Sequence, residues 1–346
     1  MDNCDPCGIE VSATELLVAL EGPGGHPQLR AFPNTPEGHQ AVVHWLSYRG
    51  RRVRVALEST GLYGLDLAWT LSRRPQIEVM VANPRAVRHF ASALMQRSKN
   101  DQLDAVVLAQ FAARMPFQRW SPPSPEVFAL CAVVRRLETL TEQGTAEKNR
   151  LHAAQLSAAV PDAVRRDLRR SLRSITRAIQ RLTREALHIL EGEPLLYSSY
   201  HLLLTIPGVA QSSALRLLAA LAVLCGDLDV RQWVAYAGLD PREYRSGTSV
   251  HKKVRISKAG NRHLRRALYM PALVAVRHEP HLRAFYQHLL ARGKSKMQAL
   301  IAVMRKLLHA IYGMFKYRQP YDGAKVYHRA ATSAAPPSRL PTVEAA

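Results

Sequence analysis

The chain has 346 residues, 47% of them hydrophobic, enough for two or three domains with sizeable cores. Lys and Arg number 48 against 27 Asp and Glu, a formal net charge of +21. That surface seeks polyanions, since each cation pairing with a phosphate releases a condensed counterion, and an anionic membrane surface is the competing target. No apolar run reaches the roughly 20 residues of a spanning helix, and no cleavable leader is visible at the N-terminus.

Cys4 and Cys7 form a lone C-x-x-C, while Cys131 and Cys225 stand apart. Structural zinc wants a second ligand pair at comparable spacing, so these read as incidental thiols and nothing demands an oxidising compartment. The expected setting is the cytoplasm.

The first 120 residues alternate in type. "CGIEVSATELLVALEG" predicts a strand and "QLRAFPN" its neighbour. "TPEGHQAVVHWLSYRG" predicts a helix with Thr35 as N-cap and Pro36 at its first position. "RRVRVALEST" is a strand of alternating Arg and Val, "GLYGLDLAWTLSRR" a helix, and "IEVMVANP" a strand. "RAVRHFASALMQ" and "DQLDAVVLAQFAARM" are helices. The alternation predicts an α/β domain with a mixed sheet over residues 1–120.

"RWSPPSPE" breaks this pattern with three prolines and opens a linker. Beyond it, Leu168, Leu172, Ile175, Ile179, Leu182, Ala186 and Ile189 follow a heptad seam. Leu130, Val133, Leu137 and Leu140 start a similar seam that weakens around Gly144. Linker and coiled-coil helices are assigned to residues 121–195, with residues 126–191 forming either a hairpin or a dimeric coiled coil. Arg165, Arg166, Arg169, Arg170, Arg173, Arg177, Arg181 and Arg184 crowd the second helix. A solvated face usually mixes charge signs, so a surface tracking a nucleic-acid backbone is the favoured reading.

A mostly α-helical domain is expected over residues 196–328. "YHLLLTIPGVAQSSALRLLAAL" reads as helix, tight turn, helix; the turn either holds a phosphate or is an ordinary connection. "VRQWVAYAGLDP" is a helix running into a loop, and the segment after it is strongly basic up to an apolar helix. "MQALIAVMRKLLHAIYGMFK" is a final amphipathic helix, and residues 329–346 form a low-complexity tail expected to be disordered.

Four carboxylates stand out. Glu10 lies inside the first strand, facing opposite to Ile9 and Val11, and Glu58 ends the Arg/Val strand. Asp101 and Asp104 share one helical face in "RSKNDQLDA". Each alone has a plain explanation: an edge-strand surface residue, a helix cap, a first-turn acid favoured by the helix dipole. Together they would repel one another unless divalent cations neutralise them, and carboxylate oxygens suit Mg²⁺. Two such ions can activate an attacking oxygen and stabilise a leaving oxygen at a phosphodiester, with Arg97 and Lys99 balancing the flanking phosphates.

The ordered set "GIEVSA", "ESTG", "KNDQLDA", "IPGVAQSSA" and "AGLDPREYRSG…KAGNRHLRRALYM" resembles the DEDD-type insertion-sequence transposases over nearly the whole chain. Their N-terminal domain is RuvC-like, with an RNase H-type mixed sheet, and their C-terminal domain carries a catalytic serine. The resemblance implies that Glu10, Glu58, Asp101 and Asp104 hold metal, two Mg²⁺ ions, and that Ser246 in "RSGTS" is the nucleophile. Glu10 departs from the family's Asp, and Ala13 from its Lys. Ser249 and Ser257 lie nearby, but Ser246 is flanked by Arg242, Arg245, His251, Lys252, Lys253 and Arg255.

The implied activity is Mg²⁺-dependent cleavage and exchange of DNA strands by a homo-oligomer, at the bacterial nucleoid, guided by an RNA from the element itself. Arg166, Arg170, Arg173, Arg177, Arg245, Lys252, Lys253 and Arg255 are the expected nucleic-acid contacts, beside Arg97 and Lys99. Two other readings stay open: a junction-resolving nuclease that uses water, and a basic binding protein without catalysis.

Overall fold

The computed structural model describes residues 4–22, 26–48, 50–58, 63–96, 98, 100–224, 228–247 and 249–327, with only the backbone described at residues 246 and 250–253. The chain divides into two units, Met1–Pro122 and Pro123–Ala346. The low-complexity tail lies outside the described residues.

The first unit orders its elements as β1 (Cys4–Val11), β2 (Glu15–Glu21), β3 (Pro27–Pro33), α1 (Pro36–Ser47), β4 (Arg52–Glu58), α2 (Leu65–Ser72), β5 (Ile77–Ala82), α3 (Pro84–Ala93) and α4 (Asp101–Arg114). The stretch expected as one opening strand is a hairpin of two. Ser12 makes the turn: its N–H donates to the Glu15 carbonyl at 2.9 Å, and its Oγ accepts from the Glu15 N–H at 2.9 Å. A hydroxyl closing a turn in this way does the work usually left to glycine or proline.

The five strands form one sheet in the order β3-β2-β1-β4-β5. β1 runs antiparallel to β2 and parallel to β4, and β4 runs parallel to β5. This mixed sheet with helices is the RuvC-like architecture expected. Because successive side chains alternate faces, Cys7, Ile9, Val55, Leu57 and Val79 pack with Leu46 of α1 and Leu67 and Leu71 of α2. Ala56, Met80 and Ala82 pack on the opposite face with Val107, Leu108 and Phe111 of α4.

The α4 seat depends on Gly8. A Cβ there would stand 2.1 Å from the Ala105 carbonyl oxygen and 2.3 Å from the Ala109 nitrogen. Only glycine lets the helix backbone lie directly on the centre of β1. Asn100 caps α4, its side chain accepting from the Leu103 N–H at 2.8 Å.

The second unit contains α5 (Pro125–Leu156), α6 (Asp162–Glu191), α7 (Pro194–Leu204), α8 (Gln211–Leu221), α9 (Val230–Tyr236), β6 (Pro241–Ser246), β7 (Val250–Ile256), α10 (Arg262–His278), α11 (Pro280–Ala291), α12 (Lys296–Tyr317) and α13 (Gly323–Val326). α5 and α6 form an antiparallel hairpin within the chain. Arg165 reaches the Ala154 carbonyl at 3.0 Å, and a Cβ on Gly144 would touch Ile175 at 3.4 Å. Both pairs obey one antiparallel register, so α5 continues through Gly144, where the seam weakens in sequence, because Ile175 fills the space. Arg165 is no part of the outer arginine row. It also bonds the Ser157 carbonyl and Asp162, fastening the turn between the helices.

One core joins the start of α5 and the end of α6 to α7, α8, α9, α10 and α12, around residues such as Leu130, Leu190, Leu203, Leu218, Leu268 and Leu307. The basic segment expected as a loop is the two-stranded antiparallel ribbon β6-β7. Among the described residues no helix is long and apolar enough to cross a membrane.

Candidate active site

β1 is the central strand of its sheet, not an edge, so Glu10 is not an edge-strand surface residue. Its face follows from the pleat: Glu10 lies with Gly8 on the side that α4 covers. Ile9 pairs with Leu57 in the parallel register. One step further along both strands, Glu10 comes beside Glu58, on backbones about 4.8 Å apart. Both are half-buried. Like charges side by side on one face destabilise a sheet unless something neutralises them.

The direction of α4 brings its first turn to the same end. Ala105 and Ala109 sit on Gly8, and beyond the helix C-terminus Phe117 lies under the Arg54 guanidinium at 5.3 Å, at the start of β4. The N-terminal turn with Asp101 and Asp104 therefore points toward the strand ends that carry Glu10 and Glu58. Asp104 is half-buried and Asp101 exposed.

The four acids thus share one face and one end of the sheet, but they are not gathered into a ready coordination sphere. Among the described residues no three His, Cys, Asp or Glu side chains cluster closely enough to hold a metal ion. The sheet pair is set by strand register and the helix pair by the helix's first turn, where Asp101 stays in solvent. Arg97 and Lys99 lie outside the described residues.

In the second unit, Ser246 closes β6 opposite Val250, just before a turn whose Gly247 has φ 54°. The side chains of Ser246, His251, Lys252 and Lys253 lie outside the description. Arg242, Arg245 and Arg255 are exposed, and the Arg242 guanidinium stacks 5.6 Å from the Tyr244 ring. Ser257 is bound elsewhere: its Oγ donates to Asp240 Oδ1 at 2.6 Å. This bond and the Ser257 N–H to the Asp240 carbonyl, 2.9 Å, pinch the base of the ribbon.

That base is anchored in turn. Asn261 caps α10 through the His263 and Leu264 N–H groups and donates to the Tyr236 hydroxyl at 2.7 Å. His263 pairs with Glu138 at 2.7 Å, and Arg266 pairs with Glu142. Sequence reading missed this scaffold, because its members are far apart in the chain. Gly8 it also missed, although a lone glycine within an apolar strand is a recognisable sign of close backbone approach.

Arg166, Arg170, Arg173 and Arg177 are all exposed, spaced 4, 3 and 4 along α6. They form a row about 16 Å long on one helical face. Cys7 is fully buried, and burial pushes Cys131 up to about 11 despite the nearby Arg135.

Two family profiles match the chain. One, described as a transposase of the DEDD IS110 type, covers residues 7–161. The other, described as the transposase IS116/IS110/IS902 family, covers residues 200–287. The pilin gene-inverting protein of Moraxella bovis is 31% identical over 84% of this chain and 89% of its own length. That of Moraxella lacunata is 30% identical over the same shares. An uncharacterized 43.6 kDa protein of insertion element IS110 from Streptomyces coelicolor is 31% identical over 45% of this chain and 37% of its own length. With these matches over a RuvC-like mixed sheet and a largely helical second unit, the chain belongs to the IS110 family of transposases.

Proposed function

We propose that the chain cuts and rejoins DNA strands with Ser246 as nucleophile, at sites selected by a guide RNA from its own element. The observation that carries the reading is the register that sets Glu10 beside Glu58, with Asp101 and Asp104 directed to the same sheet end. A DEDD transposase domain implies a divalent metal in general. All four donors here are carboxylate oxygens, which suit Mg²⁺, and two adjacent half-buried carboxylates are the arrangement a shared cation would neutralise. When bound, Mg²⁺ would polarise the phosphodiester and favour ionisation of the attacking hydroxyl.

The serine step conserves bonds. Ser246 Oγ bonds to phosphorus as one strand oxygen leaves, and that oxygen takes up the proton the serine gave up. The phosphoserine ester keeps the phosphodiester energy, so a second strand can attack it without ATP. Arg242, Arg245, Lys252, Lys253 and Arg255 hold the phosphates around the ribbon. The arginine row of α6 holds a nucleic-acid backbone, including the guide RNA. Oligomerisation is supported by Leu168, Leu172, Ile175, Ile179 and Leu182, which stay half-exposed after α5 has packed on α6. The names of the Moraxella relatives, which invert pilin genes, agree with strand exchange.

The test is the covalent intermediate. With Mg²⁺, guide RNA and donor DNA, the native chain should yield a protein–DNA species that survives denaturing electrophoresis, and Ser246→Ala should not. Full strand exchange by Ser246→Ala would sink the serine assignment. Free ends without adduct would assign water as the nucleophile instead.

A further inference from the structure

α12 ends at Arg318, which adopts φ 53° and turns the chain back on itself. Residues 319–326 then run beside the last turns of α12 and leave a cavity of about 390 Å³ between the two. Its walls are fixed. Lys306 Nζ donates to the Val326 carbonyl at 3.2 Å, the Tyr321 N–H donates to Thr205 Oγ1 at 2.9 Å, and Asp322 caps α13. Small-molecule sites have this volume and this kind of prebuilt wall.

Its chemistry is specific. Met314, Tyr317 and the bare backbone of Gly313 supply an apolar, aromatic side, and an added Cβ at Gly313 would meet nothing within 4 Å. His309 lines the same space. Its Nε2 is buried and has no hydrogen-bond partner among the described residues. Burial, then Arg305 and Lys306, hold this ring below its ordinary value, so it is neutral near pH 7. Lys306 and Lys325 stand at the rim together with Asp322.

A free anion fits poorly here. The carbonyl end of α12 and the Asp322 carboxylate both disfavour it. A planar base with exocyclic N–H groups and a ring acceptor fits well, because it offers donors to those oxygens and a partner to His309. Lys306 already holds the Val326 carbonyl and Lys325 the Gln319 side chain, beside Asp322, and the remaining N–H donors of each ammonium are left for the phosphate that accompanies it. We propose that this cavity receives one unpaired nucleotide of the bound nucleic acid, the base against Tyr317 and His309, the phosphate on Lys306 and Lys325. The inference rests on nucleic acid as the substrate class, and not on Ser246 or on metal.

The probe is a short duplex with one bulged 2-aminopurine, made as DNA and as RNA, against the same duplex fully paired. The full chain carries Glu58→Gln, so cleavage does not intrude. Stacking should quench the bulged base, and the chain should prefer the bulged probe. Tyr317 is 65% exposed, so Tyr317→Ala should fold as the parent does, which thermal melting checks. That variant should lose quenching and about tenfold of the bulge preference, as loss of one stacking partner does, while Tyr317→Phe keeps both. His309→Leu should weaken the preference as well. Quenching with DNA alone assigns the nucleotide to the substrate, and with RNA alone to the guide. Equal affinity for bulged and paired probes, or unchanged quenching in Tyr317→Ala, overturns the proposal. Because the probe needs neither serine nor metal, failure of strand exchange would leave this result standing, and the converse.

Discussion

Replacing Gly8 by alanine adds one carbon at the close contact of α4 with β1. That carbon would lie 2.1 Å from the Ala105 oxygen and 2.3 Å from the Ala109 nitrogen. Carbon and oxygen tolerate about 3.3 Å, so α4 must lift by roughly 1 Å. Both obstacles are backbone, and no rotamer change relieves them. Overpacking a core costs about 1–3 kcal/mol, and a shift of a whole helix belongs at the upper end. For a unit of this size that is a fall of roughly 10 °C in melting temperature. The lifted helix carries Asp101 and Asp104 away from Glu10 and Glu58, so metal-dependent cleavage should fall further than stability does. Scanning calorimetry and a cleavage assay below the melting point measure the two effects. Gly64→Ala is the control, since its Cβ would stand 3.3 Å from the movable Leu57 Cδ1. If Gly8→Ala melts within about 2 °C of the parent and cleaves normally, the seating of α4 on β1 is wrong.

Changing Arg166, Arg170, Arg173 and Arg177 together to alanine should leave melting unchanged and lower the salt slope of nucleic-acid binding by about 3.6, near 0.9 per phosphate contact; an unchanged slope removes the row from the interface. His39 is buried and bonded to Asn34 at 2.8 Å, and burial holds it below its ordinary 6.5 against the pull of Asp66 and Glu37. The unfolded chain therefore binds the proton more readily, so stability present above pH 6.5 should be lost as pH falls, until the folded ring itself protonates. Urea titrations from pH 7.5 to 5 on the parent and on His39→Gln should differ in slope over about that range. Asp240→Ala removes the acceptor of Ser257, worth about 1–2 kcal/mol, and should speed hydrogen exchange in residues 241–256 while the surrounding helices keep their protection.

Local chemistry was readable in advance. Thr35 caps α1 through the Gly38 N–H as expected, Pro36 opens the helix, and the prolines after Trp120 separate helix from helix. The turn after Val11 escaped notice because Ser-Ala-Thr carries no glycine or proline; the serine hydroxyl closes it. The β6-β7 ribbon escaped because β6 carries a proline and almost no apolar residue, and His, Lys and Arg dominate β7 and hide the alternation of faces. Glu10, Glu58, Asp101 and Asp104 were each visible, but their arrangement was not. It depends on a parallel register between strands far apart in sequence, and on one glycine that admits a helix backbone. Arg165 looked like one more arginine of a basic face, because its carbonyl partners exist only once the helical hairpin has closed.

The pinched base of the ribbon also bears on how such a protein diversifies. Asp240 and Ser257 meet at 2.6 Å, so the chain leaves the helical body and returns at a single point. Among the described residues between them, Ile256 at the base packs back on the helical core, so the ribbon is tied there as well. Its outer part, beyond Ile256, is where length and charge have the most freedom to vary. A transposase built this way can change the outer part of its ribbon while inheriting a finished body.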